Sequence, residues 1–496
     1  MLIPRRPQFF NNLALLLALL VIAGLRLWRL DEAGVCEYDS VSNWQTVLSL
    51  ASGDGRVLFH HAAPGFTLLF VPVAWFTHNF LVFQVLHAIA GVVSLGIFGR
   101  FISRAGQLGP TATAAVVLLA GTSLLLTFSG RDFIENAVSL GLASGLLSSY
   151  FERLHTHQPV ALLRTAGWLA VGLCVSFKLL FLVPILLLLE WWAADGLLAK
   201  SGTWWRALII LAVPYVVFGA IGVAAGLPWY RWLGVYYRHL VPEQANLAGA
   251  KTGVRLEPLF YIRYLLNFEP VLLLGLMIGI WVWRSPQHWR RGQPLALGPY
   301  LLVWAVGLLL GLSFVSKAPR ALLFAYAPLA ALLVMGLGRL LPARAALLVW
   351  LAAIGLNIFI LQRELYQYLP THYPQVAAWL RSHRAQRISS TAGKGLAPFL
   401  KDNQTLILVT NERELTTLRQ QGYQYVLLDS YWRPTGITQF DSLRRQQPLA
   451  AWPEPQLTTP LLFLEHAEYT GLSYDQTLAA QHTAALDTLQ LRLYHL

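Results

Sequence analysis

Charge is scarce in this chain: only 12% of its 496 residues are Asp, Glu, Lys or Arg, against 56% hydrophobic. Soluble globular domains carry roughly 25% charged residues. The deficit excludes a cytosolic enzyme and predicts a polytopic membrane protein. Cysteine is scarcer still, with two residues, which excludes a disulfide framework. Cys36 lies in a loop and Cys174 inside an apolar run, so no bridge between them is expected. A nucleotide site is missing as well, because "TAGKG" at 391–395 lacks the first Gly of GxxxxGK[ST]. No internal repeat is visible.

What is present is apolar and periodic at membrane scale. The net charge of +13 would suit nucleic acid, but Lys and Arg sit in short clusters between apolar runs, where the positive-inside rule places them. They are read as topology signals, and no nucleic-acid partner is expected. A span needs about 20 mainly apolar residues to cross roughly 30 Å of hydrocarbon. Such runs lie near 11–30, 80–100, 111–129, 133–151, 164–177, 179–194, 205–226, 269–284, 298–315, 321–340 and 344–362, which makes eleven. The first follows Arg5 and Arg6 and ends in "LRLWRLDE" with no small-residue cleavage site, the pattern of a signal anchor. The stretch from Ala62 to Phe76 is short, contains Pro64 and Pro72, and reads as an interfacial or re-entrant helix.

Charge tests that count. With eleven crossings the inner turns hold Arg100 and Arg104, Arg153 and Arg164, Lys200 and Arg206, Arg284 with Arg290 and Arg291, and Arg339 with Arg344. Counting Ala62–Phe76 as a crossing would move all of them outward, against the orientation bias. The outer face then receives the loop from Asp31 to His61, the turn "SGRDFIEN", the loop from about Leu227 to Phe268, the turn "SKAPR" and the tail after Arg363. The expected architecture is an all-α membrane domain over 1–362, of about eleven helices, with a small extracytoplasmic α/β domain over 363–496. In the tail, "TLILVT" and "YVLLD" read as strands, and "YPQVAAWLRSH" and "ERELTTLRQQG" as helices. The expected setting is a bacterial inner membrane.

Ionisable residues between spans are functional candidates by default. The outer loops offer Glu37 and Asp39 just past the first span, with an amphipathic stretch behind them. Arg131, Asp132, Glu135 and Asn136 stand at the mouth of the fourth span, and Lys317 and Arg320 at that of the tenth. Asp132 and Glu135 are expected to share one helical face. Lys178, between two apolar runs, either faces a donor cavity or is a boundary charge. Carboxylates beside cations suit transfer of a sugar from a lipid phosphate: the carboxylate deprotonates or orients a hydroxyl or amine, and Arg or Lys neutralises the departing phosphate.

On these residues the chain resembles the GT-C class of membrane glycosyltransferases, and most of all the family 39 relatives, protein O-mannosyltransferases and the lipid A aminoarabinose transferase. Asp39, Ser40, Asn43 and Gly53 fall in the register of that class's first-loop motif. "HHAAPGFTLLF", with His61 and Pro64, is similar to its His-Pro-Pro-Leu segment, and "PRALLFAYAPLAALL", with Arg320 and Pro328, to its Arg-Tyr motif. Ser40, Ala63 and Ala321 depart from the pattern, standing in place of a Glu, a proline and a Tyr. The likeness covers about residues 10–362. It implies an inverting hexosyl or pentosyl transfer from a polyprenyl-phosphate donor to a lipid, glycan or protein acceptor, with Asp39 as the base or acceptor-orienting carboxylate.

Plainer readings stand beside these. Asp39 is also a favoured helix N-cap, Glu37 an ordinary loop acid, and Asp132 and Glu135 ion-pair partners for Arg131 or Lys317. Arg320 and Lys317 also read as snorkelling cations. His60 and His61 lack the spacing that aims two ligands at one ion, so neither a metal nor another cofactor is indicated. Trp229, Tyr230, Trp232, Tyr236 and Tyr237 read as an interfacial belt or a cover for the site. The other function classes are an oligosaccharide polymerase or ligase with a lipid-diphosphate donor, a transporter or flippase, and a non-catalytic scaffold.

Overall fold

The computed structural model describes residues 8–33, 38–59, 63–196, 202–234, 257–314, 317–391, 394–409, 411–429, 440–486 and 490–496. Each apolar run becomes helical, because backbone polar groups in hydrocarbon have no solvent to bond and must pair within the segment. The first part runs α1 (Gln8–Leu27), α2 (Tyr38–Ala51), α3 (Pro64–Ala74), α4 (Phe80–Gly106) and α5 (Pro110–Gly121). It continues through α6 (Leu124–Ser129), α7 (Asn136–Thr156), α8 (Pro159–Val175), α9 (Val183–Ala193) and α10 (Thr203–Ala224). Beyond these come α11 (Phe260–Phe268), α12 (Pro270–Trp283), α13 (Leu297–Leu312), α14 (Tyr326–Leu340) and α15 (Ala343–Glu364).

Among the described residues three helices, α4, α10 and the one beginning at Ala343, are singly long and apolar enough to cross a membrane. The others are shorter or broken. Leu16, Leu17 and Leu20 on α1, Val213 and Val216 on α10, and Leu348 and Leu351 on α15 point out of the bundle and are exposed. Apolar surface on that scale marks contact with lipid, and the protein is an integral multi-pass membrane protein. Arg284 and Arg291 lie 3.9 and 4.4 Å from the ring centres of Trp281 and Trp191, the pairing of cation and aromatic found at a bilayer boundary.

Two expected spans are interrupted. The run at 111–129 breaks at Thr122 and Ser123 and resumes as α6. The run at 269–284 starts at Pro270, after a bend of 118° from α11. One side chain joins the breaks: the buried Glu269 carboxylate accepts the Leu125 N–H at 2.9 Å, at the start of α6. An anion there also meets the positive end of the helix dipole.

The Ala62–Phe76 stretch yields α3, eleven residues, or about 16 Å at 1.5 Å per residue, which is half a bilayer core. It buries Phe66, Thr67, Phe70 and Ala74 and leaves Leu68 and Leu69 more exposed. Gly65 lets it approach α8, since a Cβ there would stand 2.7 Å from the Cys174 carbonyl oxygen. Trp232 departs from the belt expectation. It is fully buried against Tyr215 and Phe218, while Trp229 and Tyr230 are exposed; Tyr236 and Tyr237 lie outside the described residues.

After α15 the chain forms the small α/β layer. Its helices longer than four residues are α16 (Tyr373–Ser382), α17 (Glu414–Gln420), α18 (Pro460–Glu465) and α19 (Tyr474–Leu486). Its strands are β1 (Arg387–Ser390), β2 (Thr405–Leu408), β3 (Tyr425–Leu428), β4 (Ala450–Pro453) and β5 (Gln490–His495), in the order β2-β1-β3-β5-β4. β1 runs parallel to both β2 and β3, and β5 antiparallel to β3 and β4. The layer is tied to the helices at several points. Ala33 bridges Pro370, the Thr371 N–H donates to the Glu32 carbonyl at 3.3 Å, and Asn267 donates to the Tyr474 hydroxyl at 2.8 Å.

Candidate active site

The site is built where α2 grips the bend between α6 and α7. Ser40 accepts the Phe133 N–H at 2.7 Å, and the Asn43 side-chain amide donates to the Phe133 carbonyl at 3.2 Å, so both polar groups of one residue are held by α2. Gln84 of α4 donates to the Arg131 carbonyl at 3.2 Å. The Phe133 ring sinks between Phe66, Phe70 and Phe83, with centroids 4.8–5.4 Å apart. Apolar anchoring of this kind fixes the bend and the charged residues that flank it.

That bend overturns one expectation. Asp132 and Glu135 do not share a helical face, because residues 130–135 form turns and α7 begins only at Asn136. Glu135 turns instead to Lys178, in the 3-10 turn before α9: carboxylate and ammonium are 2.9 Å apart, and Lys178 also donates to the Asn136 side-chain oxygen at 2.6 Å. Asp39, in the first turn of α2, lies near enough to Glu135 for their charges to interact. Remote segments thus pair Glu135 with Lys178 within electrostatic reach of Asp39, and Asn136 braces the lysine. Asp132 is buried at the same bend.

The other cations expected at a phosphate are placed elsewhere. Arg131 is buried and donates to the carbonyls of Arg26, Trp28 and Arg29 at 2.9, 2.8 and 3.2 Å, closing the carboxyl end of α1. Helix ends leave unpaired carbonyls that a cation satisfies well. Lys317 does the same for α13, donating to the Ser313 and Leu312 carbonyls at 2.9 and 3.4 Å. Burial pushes its ammonium below the usual lysine range, against the pull of Glu257. Arg320 faces α18: its N–H donates to the buried Glu465 carboxylate at 2.8 Å, and its guanidinium lies 3.5 Å away. Pro64 is the first residue of α3. Glu37 and His61 lie outside the described residues.

A lysine that no sequence argument selected completes the picture. Lys394 of the α/β layer reaches the mouth of the site, with its ammonium 3.4 Å from the Ser42 hydroxyl and 4.8 Å from the centre of the Tyr38 ring. It is close enough to Asp39 to feel that charge, although burial is the larger influence and lowers its affinity for a proton. The one available signal was a lysine in a glycine-rich loop directly after a strand.

No family model matches the chain, and no curated protein matches it either. Solved structures do. ArnT from Cupriavidus metallidurans bound to undecaprenyl phosphate is 12% identical, with a TM-score of 0.60 over 89% of this chain and 96% of that one. The same enzyme in the apo state gives 13% identity and a TM-score of 0.57 over 89% and 95%. The Archaeoglobus fulgidus oligosaccharyltransferase in the apo form gives 12% and 0.58, over 86% of this chain and 70% of that one. Identities this low speak for architecture alone, and the architecture is that of the GT-C membrane fold with a small C-terminal α/β layer.

Proposed function

We propose that the protein is an inverting glycosyltransferase that moves a sugar from a polyprenyl-phosphate donor to a lipid, glycan or protein acceptor. The observation that supports this best is the Glu135–Lys178 pair, within electrostatic reach of Asp39 in the first turn of α2. An acceptor oxygen or nitrogen attacks the anomeric carbon, the bond from that carbon to the phosphate oxygen breaks, and the phosphate leaves with the bonding electrons. Asp39 takes the proton lost by the acceptor. Lys178 holds Glu135 ionised beside it and adds positive potential where the phosphate departs. Undecaprenyl phosphate bound to a protein of the same fold supports a polyprenyl carrier. We place the site and the α/β layer on the outer face of a bacterial inner membrane, in keeping with the basic inner turns.

Incorporation of radiolabelled sugar from polyprenyl-phosphate donors, in membranes containing the protein, tests the reading. Asp39→Asn is expected to lower turnover by about 100-fold or more, the lower range for general acid–base groups, with normal membrane expression. Solute movement without glycosidic product would overturn the enzyme reading, and full turnover in Asp39→Asn would remove Asp39 from its role. The likeness to an oligosaccharyltransferase favours one alternative, transfer from a lipid-diphosphate oligosaccharide, which the same assay separates by donor.

A further inference from the structure

In the α/β layer β1 lies between β2 and β3, parallel to both, so the chain changes direction across the sheet at the carboxyl ends of β1 and β3. In open α/β sheets the crevice at such a switch point is where ligands bind. Here that edge carries Thr391 and Asp429, whose side chains meet at 3.3 Å, and the loop after β1 brings Lys394. Residues 394–397 are held in place. The Ala397 N–H donates to the Lys394 carbonyl at 2.8 Å, and a Cβ on Gly395 would stand 2.5 Å from the buried Tyr373 ring, so only glycine permits this packing. A lysine fixed this way crosses to α2 and stops over Tyr38 and Ser42, one turn or less from Asp39.

We infer that Lys394 is a substrate-binding residue of the active site, supplied by the C-terminal layer, and that its ammonium pairs with the phosphate of the polyprenyl carrier. The inference rests on the transferase reading above. Its grounds are placement and partners. Lys178 is already paired with Glu135, Arg320 with Glu465, and Arg131 and Lys317 with helix-end carbonyls. Lys394 touches a hydroxyl and a ring face, contacts that position a cation, and it feels the charge of Asp39 beside which the phosphate would lie. A phosphate beside Asp39 would meet this ammonium, and the layer would act as the cationic wall of the site.

The test uses full-length protein in detergent and two probes, tritiated undecaprenyl phosphate and tritiated undecaprenol, in equilibrium binding. Wild type is expected to prefer the phosphate. Lys394→Met is expected to weaken phosphate binding by about 10- to 100-fold, the worth of one hydrogen bond to a charged group, while undecaprenol binding stays unchanged. Lys394→Arg is expected to restore most of the loss. Gly395→Ala, which shifts the loop and keeps the charge, should lower phosphate affinity without altering that for the alcohol. Wild type that discriminates, with Lys394→Met binding the phosphate equally well, overturns the assignment of Lys394 alone. Wild type that binds phosphate and alcohol equally overturns the polyprenyl-phosphate reading and this inference with it. If Lys394→Met fails to fold, Lys394→Gln carries the same comparison, with unchanged undecaprenol binding as the check on its fold.

Discussion

Lys178→Met isolates the pair at the centre of the site. Glu135 and Lys178 stand 2.9 Å apart with side-chain exposures of 14% and 10%, so neither charge has much water to fall back on. Removing one member of such a pair costs about 3–5 kcal/mol, because the other is left buried and uncompensated. Here the remaining Glu135 carboxylate would also face the like charge of Asp39. Adding Glu135→Gln removes the stranded charge. The double variant is therefore expected to recover most of the lost stability, since replacing both members of a buried pair is often close to neutral. Turnover should behave differently. Both the single and the double variant are expected to lose about 100-fold or more in sugar incorporation, because the Lys178 ammonium is absent from both. Reversible unfolding in mixed micelles reads stability, and incorporation from a polyprenyl-phosphate donor reads turnover. Additive stability losses would show that the two residues are not coupled. Recovered turnover in the double variant would show that the pair only supports the fold and that the chemistry lies elsewhere.

Arg320→Ala, which keeps the backbone N–H bond to Glu465 but removes the guanidinium, should destabilise docking of α18 by about 1.5–3 kcal/mol, and Glu465→Gln should restore both stability and turnover in that background. A double variant that regains stability but not turnover would return Arg320 to the phosphate. Glu454 in the α/β layer is pushed up from 4.5 to about 7 by burial, opposed by the His372 N–H and Thr371. The folded state thus holds its proton more tightly than the unfolded one. Its contribution is full below pH 4.5 and is lost as pH rises to about 7, at 1.36 kcal/mol per unit on the order of 3 kcal/mol. Thermal unfolding between pH 4 and 8 should show this slope, and Glu454→Gln should flatten it; a slope unchanged in the variant refutes the assignment. Gly65→Ala forces α3 away from the Cys174 carbonyl and should cost about 1–3 kcal/mol in unfolding, whereas a neutral result would mean that the contact is not tight.

The helices were readable because membrane length and apolarity act locally. α4, α10 and α15 follow directly from runs that hydrocarbon forces into helix. The breaks were not readable, because a contact between Glu269 and Leu125, 144 residues apart, decides where they fall. The same division runs through the site. The register of one loop singled out Asp39 and Asn43 as candidates, and Asn43 holds Phe133 across 90 residues. Cations between spans were the least readable, since a loop lysine or arginine can serve a ligand or a helix end. Lys317 goes to the carbonyls at the end of the helix it follows, whereas Arg131, which follows α6, goes to those at the end of α1, as far as 105 residues away at Arg26. Lys178 differs in that it precedes a helix, where there are no free carbonyls to satisfy, and it turns to a carboxylate instead. A cation in a short turn can thus serve the helix beside it, a remote helix end or a carboxylate, and the spacing around it does not say which.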